Sequence, residues 1–154
     1  MSIKADRQIL RNDVSKVITT AATQGDFCIH DVAGSGAAIG DTYGKVKVLS
    51  TNPSGAKFAG VVMENHVSLD TTKYDLNQHK SEKLINDVAD LCTQGYVVTD
   101  NISGTPTVGA TAYLASAGKV SPTDSGGCPK VGYFDSIKDE LGFAKVVFDT
   151  TAQV

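Results

Sequence analysis

From Val17 onward the chain alternates short apolar runs with glycine, proline and serine breaks, and it rarely repeats apolar positions at helical spacing. Val17-Ile18-Thr19-Thr20-Ala21-Ala22 is rich in β-branched side chains, Gln24-Gly25 interrupts it, and Phe27-Cys28-Ile29 resumes. That pattern predicts a hairpin, because glycine supplies the positive φ of a tight turn. Val88-Ala89-Asp90-Leu91-Cys92, Gln94-Gly95 and Tyr96-Val97-Val98 predict a second one in the same way. Val46 and Val48 alternate with Lys45 and Lys47, which is the period-two signature of a strand with one buried and one wet face. Ala117-Gly118 marks a further hairpin turn after Thr111-Ala112-Tyr113-Leu114. Gly142 to Phe148 reads as a closing strand. Strands at such spacing, with turn residues between them, point to an all-β sandwich or barrel. The expected fold is therefore mainly β, a small β-barrel or sandwich.

The strands are written twice. Thr93-Gln94-Gly95 repeats Thr23-Gln24-Gly25, and a similar order of elements follows each. Ser54-Gly55 and Ala59-Gly60-Val61 have echoes in Ser125-Gly126 and Val131-Gly132-Tyr133. Pseudo-repeats over about residues 17–63 and 87–148 imply a scaffold built twice within a single domain, residues 16–154. Gly60 and Gly132 stand between apolar residues inside strands, where glycine marks a bulge or a close backbone approach. The polar stretch 65–83 between the repeats is long for a connection and reads as a surface excursion or partner-binding loop, with room for one short helix around residues 76–84. Residues 1–15 differ from the rest: Lys4, Arg7 and Arg11 are set against Asp6 and Asp13, with Ile3, Ile9 and Leu10 among them. They read as a polar N-terminal arm with a few apolar anchors, and Asn12-Asp13 favours a turn.

Charge and cysteine content narrow the function. The 154 residues are 41% hydrophobic and 20% charged, with net charge −3, which suits a globular domain and not a nucleic-acid surface. The longest apolar stretches fall well short of the ~20 residues a membrane span requires. The start of the chain has no apolar segment of the signal-peptide kind. Cys28, Cys92 and Cys128 are odd in number and irregularly spaced, so they read as reduced thiols of a protein made in a cytoplasm.

Each constellation that suggests chemistry has a plainer explanation. Gly34-Ser35-Gly36-Ala37-Ala38-Ile39-Gly40 resembles a phosphate-binding loop, but its last glycine comes one residue late and Gly40-Asp41-Thr42-Tyr43-Gly44 is a poor helix start. His30-Asp31 beside Ser35 suggests a triad only by adjacency, which is no evidence of geometry. The second repeat carries Asp100-Asn101 at that place, and turn-favouring polar residues at a strand end account for both. Cys28 and His30 offer two metal ligands where a structural zinc site needs four. No pair of carboxylates stands out. No catalytic residue, cofactor or metal site is expected.

One stretch carries a resemblance. Val108-Gly109-Ala110-Thr111-Ala112-Tyr113-Leu114, Gly118-Lys119-Val120-Ser121, Lys130-Val131-Gly132-Tyr133 and the run from Gly142 to Phe148 resemble the small β proteins that decorate or cement the heads of tailed bacteriophages. The likeness covers about residues 95–150, with a fainter copy at 25–63. It implies a non-enzymatic virion structural protein, made in the host cytoplasm, that binds the capsid exterior and stabilises the head lattice. The implied partners are the major capsid protein and further copies of the chain, with a trimer favoured, and neither nucleic acid nor membrane. It also implies that the arm lies on the capsid, which makes Ile3, Lys4, Arg7, Ile9, Leu10 and Arg11 the candidate contact residues. A tail or adaptor component is the alternative, and a small β-barrel enzyme or ligand-binding module the second. The latter requires a concave pocket with convergent polar groups.

Overall fold

The computed structural model describes residues 3–31, 44–63 and 85–153, together with three two-residue strands at 68–69, 79–80 and 82–83. The strands are β1 (Ile3–Ile18), β2 (Ala22–Thr23), β3 (Phe27–Asp31), β4 (Gly44–Lys47), β5 (Phe58–Val62), β6 (Ser68–Leu69), β7 (His79–Lys80), β8 (Glu82–Lys83), β9 (Val88–Thr99), β10 (Thr111–Leu114), β11 (Val120–Ser121), β12 (Lys130–Phe134) and β13 (Ala144–Asp149). The described helical turns are short 3₁₀ segments at Ser116–Gly118 and Thr150–Gln153. The fold is mainly β, as expected.

One large sheet dominates, in the order β1-β4-β3-β5-β9-β13-β12-β10-β11. β1 also pairs antiparallel with β9, so the pairing runs from β1 through β4, β3, β5 and β9 and returns to β1 as a partial ring. The contact of β1 with β4 is parallel and short, from Lys16↔Gly44 to Ile18↔Val46. Two small pairs, β2 with β8 and β6 with β7, lie outside this sheet.

Inward-facing side chains of the ring and its extension make the core. Phe27, Phe58 and Phe148 meet from β3, β5 and β13, with centroids 6.0 to 6.3 Å apart and the Phe148 ring edge-on to the other two. Edge-to-face packing suits the ring quadrupoles and adds to the area term. Ile3, Val97, Phe134 and Val146 join this cluster. A second cluster of Ile18, Cys28, Val46, Val62 and Leu91 lies beneath β1, β4 and the start of β9. Val46 and Val131 are fully buried while their neighbours are not, as the alternation requires.

The turn residues are partly where the sequence places them. The hairpin at Ala117-Gly118 forms, with Tyr113↔Ser121 and Leu114↔Val120 paired and Ala117 in the left-handed region at φ 58°. Gly60 and Gly132 are close-approach glycines. A Cβ on Gly132 would stand 1.9 Å from the Val147 carbonyl oxygen, and one on Gly60 2.8 Å from that of Cys92.

Other expectations are corrected. Gln94-Gly95 is not a turn: β9 runs unbroken from Val88 to Thr99. The glycine is there because a Cβ at position 95 would stand 2.0 Å from the Gln8 carbonyl oxygen of β1. Gln24-Gly25 does turn, with Gly25 at φ 98°, but β2 pairs with β8 while β3 pairs with β4 and β5, so no hairpin closes there. Asn12-Asp13 does not reverse the chain. β1 passes through it with a register irregularity between Asp13 and Lys16, where the Ser15 N–H donates to Asp13 Oδ1. Of the helix expected around residues 76–84, the described positions are strand, held by cross-strand pairing to β6 and β2; the remainder lies outside the described residues, as does the Gly34–Gly40 loop.

The Gly132 contact is backbone against backbone, so no side-chain rotation relieves it. Gly132→Ala is expected to destabilise the protein by about 2–3 kcal/mol, the usual cost of overpacking a tight core site. Urea unfolding followed by circular dichroism measures it; an unchanged midpoint contradicts the packing described.

Candidate functional site

The exposed side of β1 and β9 is a polar surface built on one strand alternation. Val97 and Thr99 of β9 point into the core, so Gln94, Tyr96 and Val98 point out. Tyr96 OH donates to Asp6 Oδ1 at 2.9 Å, and Arg11 Nη2 donates to Gln94 Oε1 at 3.3 Å. Gln94 Nε2 in turn donates to Asp149 Oδ2 at 3.1 Å. The Lys145 ammonium sits 4.2 Å over the Tyr96 ring and 3.2 Å from Asp135. The Asp135 hydrogen bond holds the Lys145 ammonium above its ordinary range, and the bond to Asp6 does the same for the Tyr96 phenol.

All six candidate residues of the arm lie on β1. Ile3 is buried and pairs with Thr99 at the far end of β9. Lys4 donates to Asp139 at 2.6 Å, and its ammonium lies 4.5 Å over the Phe143 ring. Arg7 is half-buried opposite Val97. Ile9 pairs with Gly95, Arg11 with Gln94, so the step from Ile9 to Arg11 covers one step of β9 and Leu10 is the extra residue of a bulge. Leu10 is 61% exposed. The strand thus brings Leu10 and the arginines to the surface and uses Ile3 as an internal anchor.

Sequence reading did not assign Asp6, Asp139, Ile137 or Leu141 to this surface. Asp6 shares the outer face with Arg11, although five residues separate them. Without the bulge at Leu10 they would lie on opposite faces, and nothing in the sequence announces that bulge. Asp139 organises the hairpin between β12 and β13: its Oδ1 accepts the N–H groups of Leu141 and Phe143, and Lys4 binds its Oδ2. Those bonds, led by that of Lys4, hold its carboxyl below the ordinary range. Ile137 and Leu141 stand exposed on this hairpin, and apolar residues in a polar turn were the available sign.

Among the described residues, several groups that suggest chemistry make contacts within the fold. Asp31 accepts from Thr19 Oγ1 and pairs with Lys47 at 3.2 Å, which ties the end of β3 to β1 and β4. His30 is exposed at its outer edge, yet partial desolvation of its ring, with the nearby Lys16, holds its pKa below the ordinary value. Asp26 accepts from Thr23 and Asn101, and its burial pushes the carboxyl up. Among the described residues no three His, Cys, Asp or Glu side chains gather as metal ligands. Among them, too, no helix is long and apolar enough to cross a membrane.

Cys28 is fully buried, and that burial pushes its thiol far above the usual range, with Asp26 adding to it. Since the thiolate is the reactive form, Cys28 is expected to resist alkylation in the folded protein. It should react with iodoacetamide only as the chain unfolds, read by mass spectrometry across a urea series; modification in native buffer contradicts this.

A family model described as structural cement protein (E217 gp24/Pam3 gp6) matches residues 5–153. No curated protein matches the chain.

Proposed function

The chain belongs to the phage structural cement protein family, and from that premise we propose that its β1 surface is what it lays against the capsid. It is a virion structural protein that stabilises the capsid, and a non-enzymatic role is part of the proposal. Beyond that, the proposal is that it binds the capsid exterior and contacts the major capsid protein. It is made in the host cytoplasm and acts as a homo-oligomer.

The observation that carries the contact surface is Leu10. A bulge sets this large apolar side chain out on a strand that also exposes Ile9, Val14 and several charged groups. An apolar anchor ringed by polar groups is the usual make-up of an interface centre. Arg7, Ile9 and Arg11 flank it, while Ile3 and Lys4 hold the strand in place from one end. Support is therefore of two kinds, the family and the way β1 presents its side chains.

Removing residues 1–15 would also bare one side of β9, so a point substitution tests the surface better. Wild-type protein is expected to co-sediment with mature undecorated heads, and Leu10→Asp to bind them at least about tenfold more weakly while keeping its circular dichroism spectrum. Failure of the wild type to bind at any ratio overturns the capsid reading. Wild-type binding with Leu10→Asp unaffected overturns the β1 surface alone.

A further inference from the structure

β9 sets the register of the outer face in both directions. Tyr96 pairs with Gln8 of β1 on one side and with Val147 of β13 on the other. Val147 pairs in turn with Tyr133 of β12, and Tyr133 with Thr111 of β10. Directly opposed residues share a face of the sheet, so these five positions form one row across five strands. The row points away from the core, because Val97, Val146, Phe148, Phe134 and Ala112, their neighbours in sequence, are buried. Tyr133 is 47% exposed. No member of the row is charged. Several of the charges beside it are turned on fixed partners: Lys145 on Asp135, Arg11 on Gln94, and Asp149 on the same Gln94. At its β1 end the row meets Ile9 and Leu10, which follow Gln8 directly.

We infer that the capsid contact does not end at β1 but continues along this row, with Tyr133 of β12 as a second anchor beside Leu10; the inference rests on the capsid reading of β1. Area is the first reason. A strand is ~4.8 Å wide, so the outward side of residues 3–15 covers only roughly 200 Å² in projection. A specific interface takes about 800 Å² from each partner. The strands next to β1 on the same face are the surface nearest to hand. Composition is the second reason: aromatic side chains at the centre, with charge kept to the rim, mark an interface core. Tyr96 is already fixed for that use, its hydroxyl bonded to Asp6 and its ring under the Lys145 ammonium. Tyr133 then supplies a large, stiff contact area. Mechanics is the third. Contact along one strand lets the protein rock about that strand, whereas a second anchor three strand spacings away, roughly 14 Å along the sheet, stops it. The partner that fits is a capsid strip with few charges, apolar enough to cover Val147 and the Tyr133 ring.

Two measurements on the full chain with mature undecorated heads test this. Nitration by tetranitromethane, read by mass spectrometry, is expected to modify Tyr133 in the free protein and to slow about tenfold or more on heads, as burial in a contact requires. Tyr133→Thr is expected to weaken co-sedimentation about tenfold. Tyr133→Phe keeps the ring and is expected to recover most of that loss. Circular dichroism checks that each variant is folded. Failure of the wild type to bind heads overturns the capsid reading and this inference with it. Wild-type binding that Leu10→Asp weakens, with Tyr133 nitrated equally on and off heads or Tyr133→Thr binding as wild type, overturns this inference and leaves the β1 surface standing. Tyr133 already protected in the free protein, with Tyr133→Thr lowering its mass by light scattering, assigns the row to a contact between copies and overturns the inference too.

Discussion

The structure depends on the close approach of two backbones at Gly95. β9 is flanked by β1 along one side. Its other side faces β5 at Leu91 and Cys92 and β13 from Gln94 onward. At the point where its neighbour changes, β1 presses its Gln8 carbonyl against the position a Cβ would fill. With any other residue there, β1 and β9 would separate, and with them the link that turns a nine-stranded sheet back on itself. The partial ring and the extension beyond β9 both begin from this strand.

β1 is retained by its ends more than by its middle. Ile3 and Ile18 are buried in different clusters, whereas Leu10 and Val14 are 61% and 64% exposed. Lys4 adds a polar fastening to Asp139, although ion pairs this exposed contribute little individually. The charges of β1 thus contribute little to keeping it in place. The strand is both part of the fold and its most outward-looking element.

The sequence made the class of fold legible, because the alternation of Val46 and Val48 with lysines and the closing run to Phe148 depend only on local geometry. Glycines were legible as punctuation but not by kind. Gly25 turns the chain and Gly95 makes room for a crossing backbone, yet both close the same tripeptide, Thr-Gln-Gly. Which role applies depends on a strand more than eighty residues away, and no local pattern carries that information. For the same reason residues 1–15 read as a free arm: the pairing that makes them a strand is supplied by β9. The family resemblance was carried by the second half of the chain, whose strands are the more regular. The proposed contact surface, on β1, was legible only as a list of candidates whose facing awaited the bulge.

A protein that stabilises a capsid carries load when the capsid strains, and the direction of that load decides what yields. β1 and β9 lie antiparallel over most of their length. Tension applied along the axis of β1 loads their ladder in shear, so that many hydrogen bonds resist together. A pull perpendicular to the sheet would peel the same bonds one after another. A load taken up through the side chains of β1 and directed along the strand is therefore borne by the whole of β9, and through it by the phenylalanine core.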